Sequence, residues 1–258
     1  MQSSSRTAKI LDTEGKPAGE IVLPPTFAEP LRLDIIKKAV VAQQSHRFQA
    51  QGRNKMAGKR TTAEGFGVGR GISRVPRVGG GGPLSGTGAF APGTVGGRNA
   101  FPPVPWKRTA KSINRKERTL ALRSAIAATG SKEMVKKRGH RIEDGTDFPL
   151  VATNDFEKFS KASEARHFLG ALGLWDDIVR VYRSRESHRG RTLHSVGPLL
   201  VVEEYQGAEK AFENFQGVQV VRARDLSVEA LAPGTHPGRL TVWSESAVKT
   251  LTRSGSTS

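Results

Sequence analysis

Apolar residues recur at structural spacings along most of this chain, and along one long stretch they do not. Residues 8–11 (Ala-Lys-Ile-Leu) and 21–23 (Ile-Val-Leu) flank a turn at Glu14-Gly-Lys-Pro17, which predicts a small hairpin ended by Pro24 and Pro25. After Pro30, Leu31, Ile35, Ile36, Ala39 and Val40 share one helical face, so a helix is expected over 31–44. Asn114, with Glu117 three residues on, has capping-box spacing and opens a helix expected at Arg115–Thr129, with Gly130 at its C′ position. Ala121, Leu122, Ala125, Ile126 and Ala128 give that helix a narrow, small-residue face. Ser131 is expected to cap a short helix through Lys137 that Gly139 closes.

Beyond residue 140 the pattern alternates. Strands are expected at Phe148–Thr153, Pro198–Val202, Val218–Val221 and Leu240–Trp243. The unbroken apolar run 199–202 is what a parallel strand covered on both faces requires. Between the strands, Asn154 and Glu157 repeat the capping-box spacing before a helical turn, and Ala165, Phe168, Leu169 and Leu172 share a helical face. Residues 175–182 fit helix and strand alike. Helices are expected at Ala208–Phe215, Val228–Leu231 and Ala247–Leu251, the last capped by Ser244. The alternation implies an α/β fold, a mostly parallel sheet with helices on both faces.

The exception is 45–111. No period of 3.6 or 2 survives there, so it cannot bury a face of its own. It is expected as a long, extended, non-globular insert in a single α/β domain spanning 1–258. A structureless insert of this length is normally functional or disordered.

Charge sharpens that choice. Residues 46–115 hold thirteen Lys or Arg and one acid, Glu64, a net +12 of the chain's +17. The other 188 residues hold 28 basic and 23 acidic groups, an ordinary mixed surface. Positive charge without interspersed acid is the footprint of a nucleic-acid binder. The candidate contacts are Arg47, Arg53, Lys55, Lys59, Arg60, Arg70, Arg74, Arg77, Arg98, Lys107, Arg108, Lys111 and Arg115, with a second basic run at Arg183, Arg185, His188, Arg189 and Arg191. Arg and Lys neutralise phosphates, while glycines let the backbone come close. Phe48, Phe66, Phe90, Phe101 and Trp106 lie among these charges, where stacking on unpaired bases favours structured RNA over plain duplex DNA. Packing against the root of the insert is the other use for those rings.

Other chemistry is poorly supported. There is no cysteine, hence no disulfide, thiolate or Cys-based zinc site. The six histidines (46, 140, 167, 188, 194, 236) are scattered and read as surface or RNA-contacting groups, not metal ligands. Carboxylates on helices read as capping or surface groups, and no G-x-S-x-G elbow surrounds Ser195 or any other serine. Gly65–Gly71 has dinucleotide-type glycines but neither the flanking strand and helix nor an acid about 20 residues on. The N-terminus lacks an apolar signal region and no run is long enough to span a membrane, so the chain is expected to be soluble and cytoplasmic. An enzyme using the Gly-rich segment as a lid, and a duplex-DNA regulator, are the competing readings.

Three motifs in the insert carry a family resemblance: Gly65-Phe-Gly-Val-Gly-Arg-Gly71, Val75-Pro-Arg-Val-Gly-Gly-Gly-Gly82 and Gly96-Gly-Arg-Asn-Ala100. With 123–129, Arg138-Gly-His-Arg141, 231–240 and 243–247, they resemble large-subunit ribosomal protein "L four" in its archaeal and eukaryotic form, over nearly the whole chain. The resemblance implies a non-enzymatic structural protein of the ribosome. Its α/β body would sit on the outer surface of the large subunit, and its loop would thread into the large rRNA. The implied partners are that rRNA, neighbouring large-subunit proteins and the nascent polypeptide, with no membrane and no homo-oligomer. No cofactor is implied beyond Mg2+ belonging to the rRNA. Gly79, Gly80, Gly81, Gly82, Pro83, Leu84, Ser85, Gly86, Thr87 and Gly88 would form the tip lining the exit tunnel. The segment 83–90 lacks the basic residues that eukaryotic relatives often carry there, and the second basic run and C-terminus are shorter than in many of them.

Overall fold

The computed structural model describes residues 6–143, 145–186 and 195–255. In chain order the elements are β1 (Thr7–Leu11), β2 (Pro17–Val22), α1 (Leu33–Ser45), β3 (Ala63–Glu64), β4 (Arg77–Val78), α2 (Arg115–Thr129), α3 (Lys132–Arg138) and β5 (Leu150–Ala152). There follow α4 (Ala162–Ala171), α5 (Trp175–Glu186), β6 (Leu199–Val202), α6 (Ala208–Phe212), β7 (Gln219–Arg222), α7 (Val228–Leu231), β8 (Thr241–Ser244) and α8 (Glu245–Gly255). The chain divides into two compact units, residues 1–45 with 111–258, and residues 46–110.

The first unit is built on a six-stranded sheet ordered β2-β1-β5-β8-β6-β7. Only the β1–β2 hairpin is antiparallel; every other neighbour is parallel. Strand side chains alternate between two cores, as a period of 2 demands. Val151, Leu199, Val201 and Trp243 join Ile36, Val40, Ala125, Ile126, Leu231 and Val248 from α1, α2, α7 and α8. Leu150, Ala152, Leu200, Val202 and Val242 face the other way, into Val135, Phe168, Leu169, Ile178 and Phe212 from α3 to α6. Helices therefore cover both faces, which is why β5 and β6 are wholly apolar, while the polar ends of β8, Thr241 and Ser244, are buried with them. Trp243 anchors one core edge-on to Phe27, ring centroids 5.4 Å apart. Phe156 stacks on Phe168 at 5.3 Å in the other.

Several local expectations change. Asn114 makes no side-chain cap; Glu117 instead reaches across to Lys38 of α1, at 2.8 Å. Gly130 is the C-cap in right-handed geometry, φ −82°, so its use is small size: an added Cβ would lie 3.3 Å from the Phe27 ring. Ser131 makes no side-chain cap either, whereas Gly139 closes α3 in the left-handed conformation, φ 98°. Asn154 and Glu157 do not box their own turn. Asn154 Oδ1 accepts from the Ser246 amide at 2.9 Å, joining Ser244 Oγ, which accepts from the Ala247 amide at 3.1 Å, in capping α8. Glu157 is buried and accepts from the Glu203 amide and the Ser246 hydroxyl. Leu31 lies outside α1 and is exposed, and residues 175–182 are helical.

Ser45 closes the first unit where the second leaves it. Buried at the end of α1, its hydroxyl donates to Ala42 O at 2.6 Å and accepts from the Lys111 amide at 2.8 Å.

Candidate nucleic-acid interface

Residues 46–110 form no helix, and none of them is buried. What order the segment has comes from backbone pairing. β3 pairs antiparallel with β4, and Arg77 bridges to Gly88 on the other side. The Val78 amide donates to Thr87 O and the Gly86 amide to Val78 O, each at 2.9 Å, so residues 79–86 are the turn of a hairpin. Arg77 Nη1 staples the turn by donating to Gly86 O at 2.9 Å. Gly80 and Gly86 hold φ of 105° and 79°, which only glycine adopts without strain. The turn carries no charge, and Leu84 at its end is exposed. A second close approach occurs at Gly58, where a Cβ would lie 2.4 Å from Gly97 O.

The candidate cations fall into two sets. Arg53, Arg77 and Arg98 are half-buried and engage their own segment. Arg53 Nη2 donates to Ala57 O at 3.0 Å, and the Arg98 guanidinium lies 5.8 Å from the Phe90 ring. Arg47, Lys55, Lys59, Arg60, Arg70, Arg74, Lys107 and Arg108 are exposed, with Arg70 set over Phe66 at 5.3 Å. Phe48, Phe66, Phe101 and Trp106 are exposed; Phe90 is half-buried. Trp106 edges a cleft of about 390 Å³ beside Arg53, Lys59 and Arg98. Such a cleft offers one flat ring and a fan of guanidinium and ammonium donors, which is chemistry for a nucleotide.

In the first unit, Lys111, Arg115 and Arg183 are exposed. Arg185 lies in α5 without a described side chain, and His188, Arg189, Arg191 and His194 lie outside the described residues. His140 corrects the reading of the histidines as surface groups. Its ring is 1% exposed and its Nδ1 donates to Asp177 Oδ2 at 2.9 Å. Asp177, equally buried, also accepts from Arg180 Nε at 2.8 Å and from the Arg141 amide at 2.9 Å. Burial works against its charge, but His140, Arg180 and Arg141 outweigh it and hold the carboxyl below its ordinary pKa. Burial likewise pushes the His140 imidazole down, against the pull of Asp177. The i, i+3 spacing of Asp177 and Arg180 was a readable helix pair; the partner 37 residues away was not. Arg239, 2% exposed, was also missed. It donates to Gly197 O, Ala230 O, Gly217 O and Gln219 Oε1, tying the loops at one end of β6, β7 and β8. Burial and the nearby Arg138 push it down to about 9, still charged at neutral pH. Among the described residues, no group of three or more His, Asp or Glu could hold a metal, and no helix is long and apolar enough to cross a membrane.

The sequence model of the Ribosomal protein L4/L1 family matches residues 21–254. The chain belongs to this family. It is 43% identical over 254 residues to the large ribosomal subunit protein uL4 of Saccharolobus islandicus strain L.S.2.15, covering 95% of this chain and 94% of the relative. The protein of the same name from Saccharolobus solfataricus is 42% identical over the same length. An α/β layer carrying a basic, glycine-rich segment is thus, in this chain, a ribosomal L4/L1 architecture of archaeal type. Membership sets aside the reading as an enzyme.

Proposed function

We propose that this chain is a structural constituent of the large ribosomal subunit, placed in the cytoplasmic ribosome, that binds large-subunit rRNA chiefly through residues 46–110. The observation that carries the reading is the composition and exposure of that segment: eleven Lys or Arg against one carboxylate, with eight of the eleven exposed and no residue buried. Side chains that cannot form a core are ordered at low cost only by a partner, and a polyanion supplies the counter-charge that a single carboxylate cannot. Exposed cations neutralise phosphates and release counterions. Arg53, Arg77 and Arg98, engaged with their own segment, shape it for entry. Residues 46–110 act as an insert in a single domain that folds without RNA. The uncharged hairpin turn at Gly79–Gly88 lines the polypeptide exit tunnel, where a thin, glycine-rich end meets the nascent chain without an electrostatic hold. Neighbouring large-subunit proteins complete the surroundings, and the protein acts there as one copy.

Co-sedimentation tests the whole reading. Tagged chain expressed in an archaeal host should travel with large subunits through a sucrose gradient, and cross-links from Leu84 should reach nascent peptide. A chain that stays at the top of the gradient, at native expression, overturns it.

A further inference from the structure

The first unit holds a cleft of about 750 Å³ between the C-terminal end of α3, the turn at 233–237 and residues 195–196. Its wall presents Lys137, Arg138, Arg180, His140 and His236 and, among the described residues, no carboxylate. The acid that serves this cluster is Asp177, already shared by His140, Arg180 and the Arg141 amide. Arg138 has no part in that sharing. Its Nη2 donates to Pro233 O at 2.8 Å, while its Nη1 is shielded from solvent and has no partner among the described residues. Burial and the charge of Arg180 push its pKa down to about 10, the mark of a cation lacking a counter-charge.

His140 adds a second unmatched atom. Because Asp177 only accepts, Nδ1 carries the ring proton of the neutral imidazole, and Nε2 is left as a bare acceptor. Nε2 is buried and has no partner among the described residues. The cleft therefore asks for two things together: an anionic oxygen for Arg138 and a hydroxyl or amine donor for His140. A phosphodiester oxygen accepts and cannot donate. A ribose 2′-hydroxyl beside it donates. Among the described residues the wall has no flat aromatic side chain other than the two imidazoles, so it suits a sugar-phosphate backbone better than a stacked base.

We infer that this cleft holds the backbone of an RNA strand, with Arg138 donating to a phosphate oxygen and His140 Nε2 accepting from an adjacent ribose 2′-hydroxyl. Both atoms are shielded, so the wall must shift to present them, and the exposed Lys137 in that wall adds charge for the approaching strand. The site rests on the reading of this chain as an rRNA binder and adds a second contact that tells RNA from DNA, in the unit that lacks the basic segment. Arg180, braced by Asp177 and donating to Val196 O at 2.8 Å, contributes charge and holds the wall.

Titration of the full chain with hexauridylate, its deoxy counterpart and inorganic phosphate, read by nitrogen NMR of the His140 ring and the Arg138 guanidinium, tests this. Hexauridylate is expected to shift both signals, and the deoxy strand to bind there several-fold more weakly. Arg138→Met should weaken the response on the order of tenfold, as loss of a charged fork does. Lys137→Ala, exposed and harmless to the fold, should weaken it by a smaller factor and keeps the test decisive if Arg138→Met fails to fold. Silence of both signals with every probe, a response to inorganic phosphate alone (an adventitious ion only), or equal response to RNA and DNA overturns the inference. Arg70→Ala with Arg74→Ala separates it from the reading it rests on. Lower rRNA affinity in that variant with a silent cleft sinks only the cleft; a responsive cleft with unchanged rRNA affinity sinks only the role of residues 46–110.

Discussion

Arg239 and Arg70 both lack a carboxylate partner among the described residues, and little else about them is alike. Arg239 is buried among four carbonyl oxygens that satisfy it completely enough to keep its charge in the interior. Arg70 stands exposed, with only the Phe66 ring beneath it. The same contrast holds across the two units. One satisfies Arg239 and Asp177 internally and fills two cores with aromatic and branched side chains. The other has all its aromatic rings and cations exposed or half-buried. Stability belongs to the first arrangement and recognition to the second, because a group satisfied internally has nothing left to offer a partner.

The most severe way to break this contrast is to remove one side of it. Replacing Arg53–Trp106 by a short Gly-Ser linker should lower affinity for an rRNA fragment by orders of magnitude while calorimetry still records one cooperative transition. A body that no longer melts cooperatively would show that the segment belongs to the core. Next come single aromatics. Trp243→Ala should cost about 3–5 kcal/mol in urea denaturation and Phe101→Ala within about 0.5 kcal/mol, since one ring is fully buried and the other 94% exposed. Comparable losses would erase the distinction.

Acid provides a finer test of the first unit alone. The folded state holds His140 neutral, so below the unfolded imidazole value of 6.5 the unfolded chain binds the extra proton and stability falls. Asp177, held below its ordinary value of 3.8, adds a further loss as the pH drops through its folded pKa. Stability should be level above about pH 6.5, decline below it, and decline less steeply in His140→Asn. Removing the α8 cap with Ser244→Ala should cost about 1 kcal/mol. The smallest effect concerns Arg74: its replacement by Ala should reduce the slope of log K against log salt by roughly 0.7 to 0.9, one phosphate's worth. An unchanged slope would place that cation off the RNA.

Sequence pattern carried the α/β layer well because its signal is redundant. Strand 199–202 reports its burial four times over and 241–244 twice, at Val242 and Trp243, and a shift of an end by one residue changes nothing. Caps were less legible. Asn154 and Glu157 have capping-box spacing and instead serve the start of α8, about 90 residues away, because a side-chain oxygen takes whichever amide the tertiary fold brings near. The same limit hid the bond of His140 to Asp177 and the role of Arg239, for a polar contact across the fold leaves no period along the chain. In the basic segment, charge and exposure could be read directly. The division between Arg77, which staples a turn, and Arg74, which does not, depends on the register of one hairpin.

The bond between Ser45 and Lys111 has a consequence for how this molecule tolerates being cut. Sixty-five residues leave and return through a gap one hydrogen bond wide, so covalent continuity between them is not what keeps α1 beside α2. Their own packing does that, through Lys38, Glu117 and the shared apolar face. New chain ends opened between Gly80 and Gly81, with the old termini joined, should therefore yield a permutant whose sheet assembles in the native order.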